Sequence, residues 1–134
     1  MPEAGDRKTL VPLTRPASRR LRSSHEFQHC YGSGIRAGDE HLLIFAAASR
    51  HSFPRTGVSV SRKHGNAVHR NRKKRLLREA FRLSQHELPH CDFVLIPRQS
   101  TESTLYDYQS SLQKLAPRLD RRLRKMAHDS KADQ

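Results

Sequence analysis

Apolar residues along the 134-residue chain recur with a spacing that changes several times, and each change marks a new element. Residues Leu21 to Tyr31 (LRSSHEFQHCY) place Leu21, Phe27, Cys30 and Tyr31 at helical spacing, with Ser23 and Ser24 available as caps, so a short first helix is predicted. Gly32, Gly34 and Gly38 punctuate the next stretch. His41 to Ala48 (HLLIFAAA) follows as a compact apolar run of strand length, predicted to be central and well buried. Arg55 to Ser61 (RTGVSVS) alternates, with Thr56, Val58 and Val60 on one face and Arg55, Gly57, Ser59 and Ser61 on the other. That pattern predicts a half-covered strand with a small, polar outer face. Asn66 can cap a helix from about Ala67 to Ser84, and Pro89 stops any extension. Asp92 to Pro97 (DFVLIP) returns as a strand. A last helix is expected from about Ser103, where Leu105, Tyr108, Leu112 and Leu115 recur every three or four residues until Pro117 kinks or ends the pattern.

These elements describe an α+β fold of one sheet with helices packed on it, without internal repeats or low-complexity sequence. The length allows one domain with a modest core. Met1 to Arg20, with Pro2, Pro12 and Pro16 and no periodic apolar pattern, reads as a flexible basic arm. The expected organisation is an arm over 1–20, a domain over 21–117 and a fraying basic tail over 118–134. Cys30 and Cys91 belong to no close pair of the kind that builds a zinc site. Free thiols in a reducing cytosol are expected, the alternative being a disulfide between them. The longest apolar run, Leu42 to Ala48, is far short of a membrane span, and no charged start followed by an apolar stretch marks a signal peptide. A soluble cytoplasmic protein without a membrane partner is the expectation.

Charge adds what the pattern cannot. Lys and Arg number 26 against 13 Asp and Glu, a formal charge of +13, which points outward to a polyanion. Between Arg62 and Arg82 stand nine basic residues (Arg62, Lys63, Arg70, Arg72, Lys73, Lys74, Arg75, Arg78 and Arg82) against the single acid Glu79. At about 100° per residue, Leu76, Leu77, Ala80, Phe81 and Leu83 share one arc of the predicted helix, and Asn71, Lys74, Arg75, Arg78 and Arg82 fall opposite. A solvated helix face is the plain alternative. Against it, the acids that would form i to i+4 pairs are missing, and Arg70, Arg72 and Lys73 occupy first turns where the helix dipole is already positive. Phosphate relieves both, because helix N-terminal amides and guanidinium forks donate to its oxygens. Composition alone leaves DNA and RNA unresolved.

The stretch VSVSRKHGNAVHRNRKKRLLREAFR, Val58 to Arg82, resembles the signature of the bacterial ribonuclease P protein subunit. GNAV at Gly65 to Val68 and RNR at Arg70 to Arg72 are the most specific words, followed by KR at Lys74 and Arg75, RE at Arg78 and Glu79, and DFVLIPR at Asp92 to Arg98. The resemblance extends back through RLRSSHEFQHCYGSG, where Phe27 and Tyr31 match two aromatic positions, and covers roughly Arg20 to Leu115. It implies an αβββαβα two-layer sandwich of the kind shared with domain 2 of ribosomal protein S5, with a left-handed βαβ crossover. It implies further that the RNR helix, through Asn66, Arg70, Asn71, Arg72, Lys74, Arg75 and Arg78, faces the ribonuclease P RNA. A cleft with Phe27, Tyr31, Ser59, Ser61, Arg62 and Lys63 would receive the single-stranded 5′ leader of precursor tRNA, a use to which flat rings are suited. Gly57, Ser59 and Ser61, small groups on the outward strand face, would leave room for its backbone to lie beside them. The plain alternative for Phe27 and Tyr31 is that both rings simply pack on the sheet.

No Ser, His and Asp order suggests a triad and paired carboxylates are scarce, so no protein catalytic residues are expected. In the family the RNA is the catalyst, with Mg2+ held largely by that RNA, and DNA is not an expected partner. His25 and His29 with Cys30, and His86 and His90 with Cys91, invite a metal reading, but a fourth convergent ligand is missing and the two first-helix histidines are expected to be exposed. A ribosomal or general RNA-binding protein without a processing role is the rival function, and a protein-only nuclease a third.

Overall fold

Ser23 starts the first helix with a capping box. Its hydroxyl accepts from the Glu26 main-chain N–H, and the Glu26 carboxylate accepts from the Ser23 N–H. Helix α1 then runs Ser24–Gly32 in the computed structural model, which describes residues 19–99 and 102–132. The three residues ahead of it are not helical. The Leu21 N–H donates to the Thr56 carbonyl at 3.0 Å and Arg20 bridges Thr56 in the parallel sense, so this segment lies on a sheet edge. Arg19, within the expected arm, also meets the domain: its guanidinium donates to Gln85 Oε1 at 2.8 Å and lies 5.1 Å from the centre of the Phe53 ring. The rest of the expected arm, 1–18, falls outside the described residues.

Four strands follow the order β1 (Arg36–Gly38), β2 (Leu42–Ala48), β3 (Arg55–Val58) and β4 (Cys91–Pro97), with helix α2 (Ala67–Ser84) between the last two and helix α3 (Leu105–Ala132) at the end. The sheet order is β1-β2-β4-β3; β2 is antiparallel to β1 and β4, and β3 is parallel to β4. This is the α+β sandwich with αβββαβα element order, α2 supplying the crossover that a parallel pair requires. The β1 strand, three residues that end on Gly38, has no pattern in the sequence that predicts it. The β3 strand stops at Val58 instead of Ser61, and the Ser59 N–H makes a last bond to the Leu95 carbonyl at 3.0 Å.

Pairing register separates two cores. Ile44 with Leu95 and Ala46 with Phe93 face α2 and α3, where they join Leu77, Phe81, Tyr108, Leu112, Leu115 and Leu119. Ala47 and Val94 turn to the opposite face under α1, with Leu21 and Cys30. Because β4 is covered on both sides, its sequence from Phe93 to Pro97 is continuously apolar rather than alternating. Helix α3 does not end at Pro117. Leu119 and Leu123 prolong its buried stripe beyond the proline, which lies exposed on the solvent side, and their burial offsets the lost main-chain bond. Residues 118–132, expected as a fraying tail, thus continue helix α3, with Leu119 and Leu123 packed into the core.

Helix α1 is locked down by charge. Arg55 donates from Nε and Nη2 to the two Asp92 carboxylate oxygens at 2.9 and 2.7 Å, and from Nη1 to Glu26 at 2.7 Å. Hydrogen bonds from the Arg22 and Ser23 main chain, helped by the Arg55 charge, hold the Glu26 carboxyl down to about 2. Burial would raise Asp39, but bonds from Ser111, from the His41 and Leu42 N–H groups and from Lys114 outweigh it and hold Asp39 to about 2. Both carboxyls bind a proton more weakly when folded, so their stabilisation is full above the unfolded carboxyl range and fades as pH falls toward 2. The thermal midpoint should be flat near neutrality and drop between about pH 5 and 2. Glu26→Gln should shrink that drop, and an unchanged profile would refute its part.

Candidate nucleic-acid interface

The start of α2 is built by three residues of the motif. His64 is buried, with Nε2 2.7 Å from the Pro97 carbonyl and Nδ1 3.0 Å from the Ser61 N–H, an arrangement a neutral imidazole with its proton on Nε2 satisfies completely. It ties the 3-10 turn Arg62–His64 to the end of β4. Gly65 takes a φ of 114° that side-chained residues avoid. Asn66 then accepts the His69 N–H at 3.0 Å as N-cap, so its carbonyl oxygen has a structural task beside any contact with RNA. The motif thus fixes where the helix begins and how its first turn is aimed. His64 was not singled out from the sequence.

The helix turns Leu77, Ala80, Phe81 and Ser84 inward, while Asn71, Arg72, Arg75 and Arg78 stand exposed and Arg70 and Lys74 are half-buried. Three details differ from the expected arcs. Lys73 is buried, its stem lying along the apolar side and its ammonium reaching the Arg98 carbonyl at 3.4 Å. Leu76 and Leu83 are only half-buried. Arg82 is paired with Glu79 one turn back, so it leaves the uncompensated set. Among the described residues, Arg62, Lys63, Arg70, Arg72, Lys74, Arg75 and Arg78 form no ion pair with a carboxylate. Arg70 Nε is buried with no hydrogen-bond partner among them. Val68 adds an apolar side chain that is 74% exposed beside these cations, with no packing role to explain it.

A trough of about 320 Å³ runs from this surface to α1, lined by Arg20, Leu21, Arg22, Phe27, Gly57, Val58 and Arg78. The Phe27 ring lies directly on Gly57, where a Cβ atom would come within 2.4 Å of Phe27 Cζ. The room expected beside Gly57 for an RNA backbone is therefore taken by the ring, and only glycine lets the ring lie so low. Tyr31 meets Phe45 edge-on at 5.1 Å. Both expected aromatics pack on the sheet, each with part of its surface still open. Ser59 is half-buried, whereas Ser61, Arg62 and Lys63 are exposed at the exit from β3. Arg20 and Arg22, which complete the trough, were not foreseen; their signal is two arginines flanking the buried Leu21.

Elsewhere His25 and His29 are exposed, and among the described residues no three His, Cys, Asp or Glu side chains converge as a metal site. Cys30 and Cys91 are free and buried, and burial pushes both thiols up to about 12. Among the described residues no helix is long and apolar enough to cross a membrane.

The family model described as Ribonuclease P matches residues 16–129. The ribonuclease P protein component of Desulfovibrio desulfuricans is 40% identical over 121 residues, covering 88% of this chain and 93% of that one. The component from Vibrio parahaemolyticus is 44% identical over 84 residues, 62% of this chain and 71% of that one. Among solved structures, the ribonuclease P protein of Thermotoga maritima superposes with a TM-score of 0.67 at 28% identity, over 74% of this chain and 96% of the other. That of Staphylococcus aureus gives 0.65 at 29% identity, over 76% and 94%.

Proposed function

The chain belongs to the ribonuclease P protein family, and from that premise we propose that it is the protein subunit of a ribonucleoprotein that removes the 5′ leader from precursor tRNA. The observation that carries the reading is the set of exposed α2 guanidinium groups with no carboxylate partner among the described residues. These bind the ribonuclease P RNA through its phosphates. The trough beside α1 takes the leader, with Phe27 and Tyr31 offering ring surface and Arg20, Arg22 and Arg78 neutralising the strand.

Chemistry belongs to the RNA. Among the described residues no three ligating side chains converge, and Mg2+ would be held mainly by phosphates of the RNA subunit, where it would activate water for the hydrolysis. The protein contributes position and charge: it holds the substrate strand in place and lowers repulsion between two polyanions. A cytoplasmic location and an absence of DNA as partner follow from this role.

Reconstitution tests it. With ribonuclease P RNA and leader-bearing precursor tRNA, the protein should raise cleavage most at low magnesium and cleave nothing alone. Binding of RNA without any gain in cleavage would favour the general RNA-binding alternative, and cleavage by protein alone a protein nuclease. Phe27→Ala should lower affinity for leader-bearing tRNA roughly tenfold, the worth of about one stacked base, with mature tRNA scarcely affected. Equal losses on both substrates would assign Phe27 to folding only.

A further inference from the structure

The C-terminal helix carries a second cationic surface, distinct from the one on α2. Arg118, Arg121, Arg122 and Lys125 are all exposed on α3 and, among the described residues, none forms an ion pair. Their neighbours Lys114 and Arg124 do, with Asp39 and Asp120. At about 100° per residue the four fall on one flank of the helix. It is the flank where Arg122 donates to the Arg36 carbonyl of β1 and Lys114 meets Asp39, whereas the other flank meets α2 through Gln113 and Ser84 at 3.2 Å. The ridge therefore looks away from α2.

A solvated helix face does not account for it. Arg118 with Arg121 and Arg122, and Lys125 with Arg121 and Arg122, are like charges at i, i+3 and i, i+4, which destabilise a helix. The helix dipole gives no compensation, since its effect is confined to the last turn and the helix continues to Ala132. Packing gives none either, because the buried stripe runs through Leu115, Ala116, Leu119 and Leu123 on the other side. Two adjacent helices set the ridge and the α2 cations roughly 20 Å apart, while the Debye length is about 8 Å at physiological salt. One strand neutralising α2 leaves this ridge unscreened.

Resting on the proposed function, we infer that this α3 ridge grips a second phosphate-backbone segment of the ribonuclease P RNA, separate from the one on α2. Three of its four residues are arginines, whose forks suit phosphate oxygens better than a lysine's point charge. The domain is then a bridge between two RNA segments.

The full chain with Arg118→Gln, Arg121→Gln, Arg122→Gln and Lys125→Gln combined, assembled on ribonuclease P RNA, tests this; glutamine keeps the helix propensity. The plot of log affinity against log salt should flatten by about 3 to 4, and one stretch of RNA should lose its protection from hydroxyl radicals. Arg72→Gln with Arg75→Gln should expose a different stretch. A second variant that retains Arg122 preserves its bond to the Arg36 carbonyl and should still flatten the plot, whereas Arg124→Gln, whose charge Asp120 already meets, should not. If the wild-type chain and the α2 variant behave as above but the ridge variants keep the wild-type slope and footprint, the inference is overturned and the functional reading stands; a ridge serving an acidic membrane or protein would give that result. If the wild-type chain fails to bind the RNA, both fall.

Discussion

Replacing Arg72, Arg75 and Arg78 together by glutamine is expected to weaken binding to ribonuclease P RNA by on the order of 100-fold at physiological salt, and to flatten its salt dependence by about 2 to 3. All three side chains are exposed on α2 and meet no carboxylate among the described residues, so their charge is free for phosphate. Each lost phosphate contact returns its counterion and takes about 0.7 to 0.9 from the slope. The fold should tolerate the change. Glutamine is a good helix former, and removing the i, i+3 repulsion of Arg75 with Arg72 and with Arg78 should be neutral or stabilising by a few tenths of a kcal/mol. A thermal midpoint near wild type with the wild-type salt slope would mean these guanidinium groups touch no phosphate.

Arg55→Leu should have the largest effect on stability, costing about 3 to 5 kcal/mol. Arg55 is the bidentate partner of Asp92, whose side chain is 6% exposed, and also meets Glu26. Without the guanidinium, Asp92 stays buried between α1 and the sheet as an uncompensated carboxylate, while Glu26, more exposed, regains water. For a domain of this size that is a fall of roughly 10 to 25 °C in thermal midpoint. Adding Asp92→Leu should recover much of it, since the cost is the orphaned charge and not the missing bond. A single variant that melts within two or three degrees of wild type would show α1 docked by its apolar contacts alone.

Local signals are strong enough to read α2 almost to the residue, because its cap at Asn66, its apolar arc and Pro89, which bars any long extension, lie within one stretch of sequence. Strands β2 and β4 were legible as short apolar runs for the same reason. What escaped is long-range. Alternation put Arg55 on an outer face beside Ser59 and Ser61, and nothing near it in sequence shows that Glu26 and Asp92 converge there. Phe27 and Gly57 are 30 positions apart, so their contact, which occupies the space expected for RNA, is visible only once α1 is placed. Lys73 read as one more cation because its charge outweighs a stem that packs like an aliphatic chain. The continuation of α3 is available in Leu119 and Leu123, which keep the spacing of Leu112 and Leu115, but Pro117 by itself fits a kink or an end equally well. Three residues, the last of them Gly38, carry too little pattern to announce β1.

The central claim, that α2 turns its unpaired arginines onto RNA, is open to a direct spatial test. Burial of Cys30 and Cys91, with both thiols pushed up to about 12, leaves neither to compete with an introduced surface thiol. The chain with Asn71→Cys, carrying an iron chelate on that thiol and assembled with ribonuclease P RNA, should cut the RNA backbone at a few discrete positions that vanish when Arg72 and Arg75 are also replaced. Assembly that proceeds normally with no localised cutting from position 71 would contradict the account.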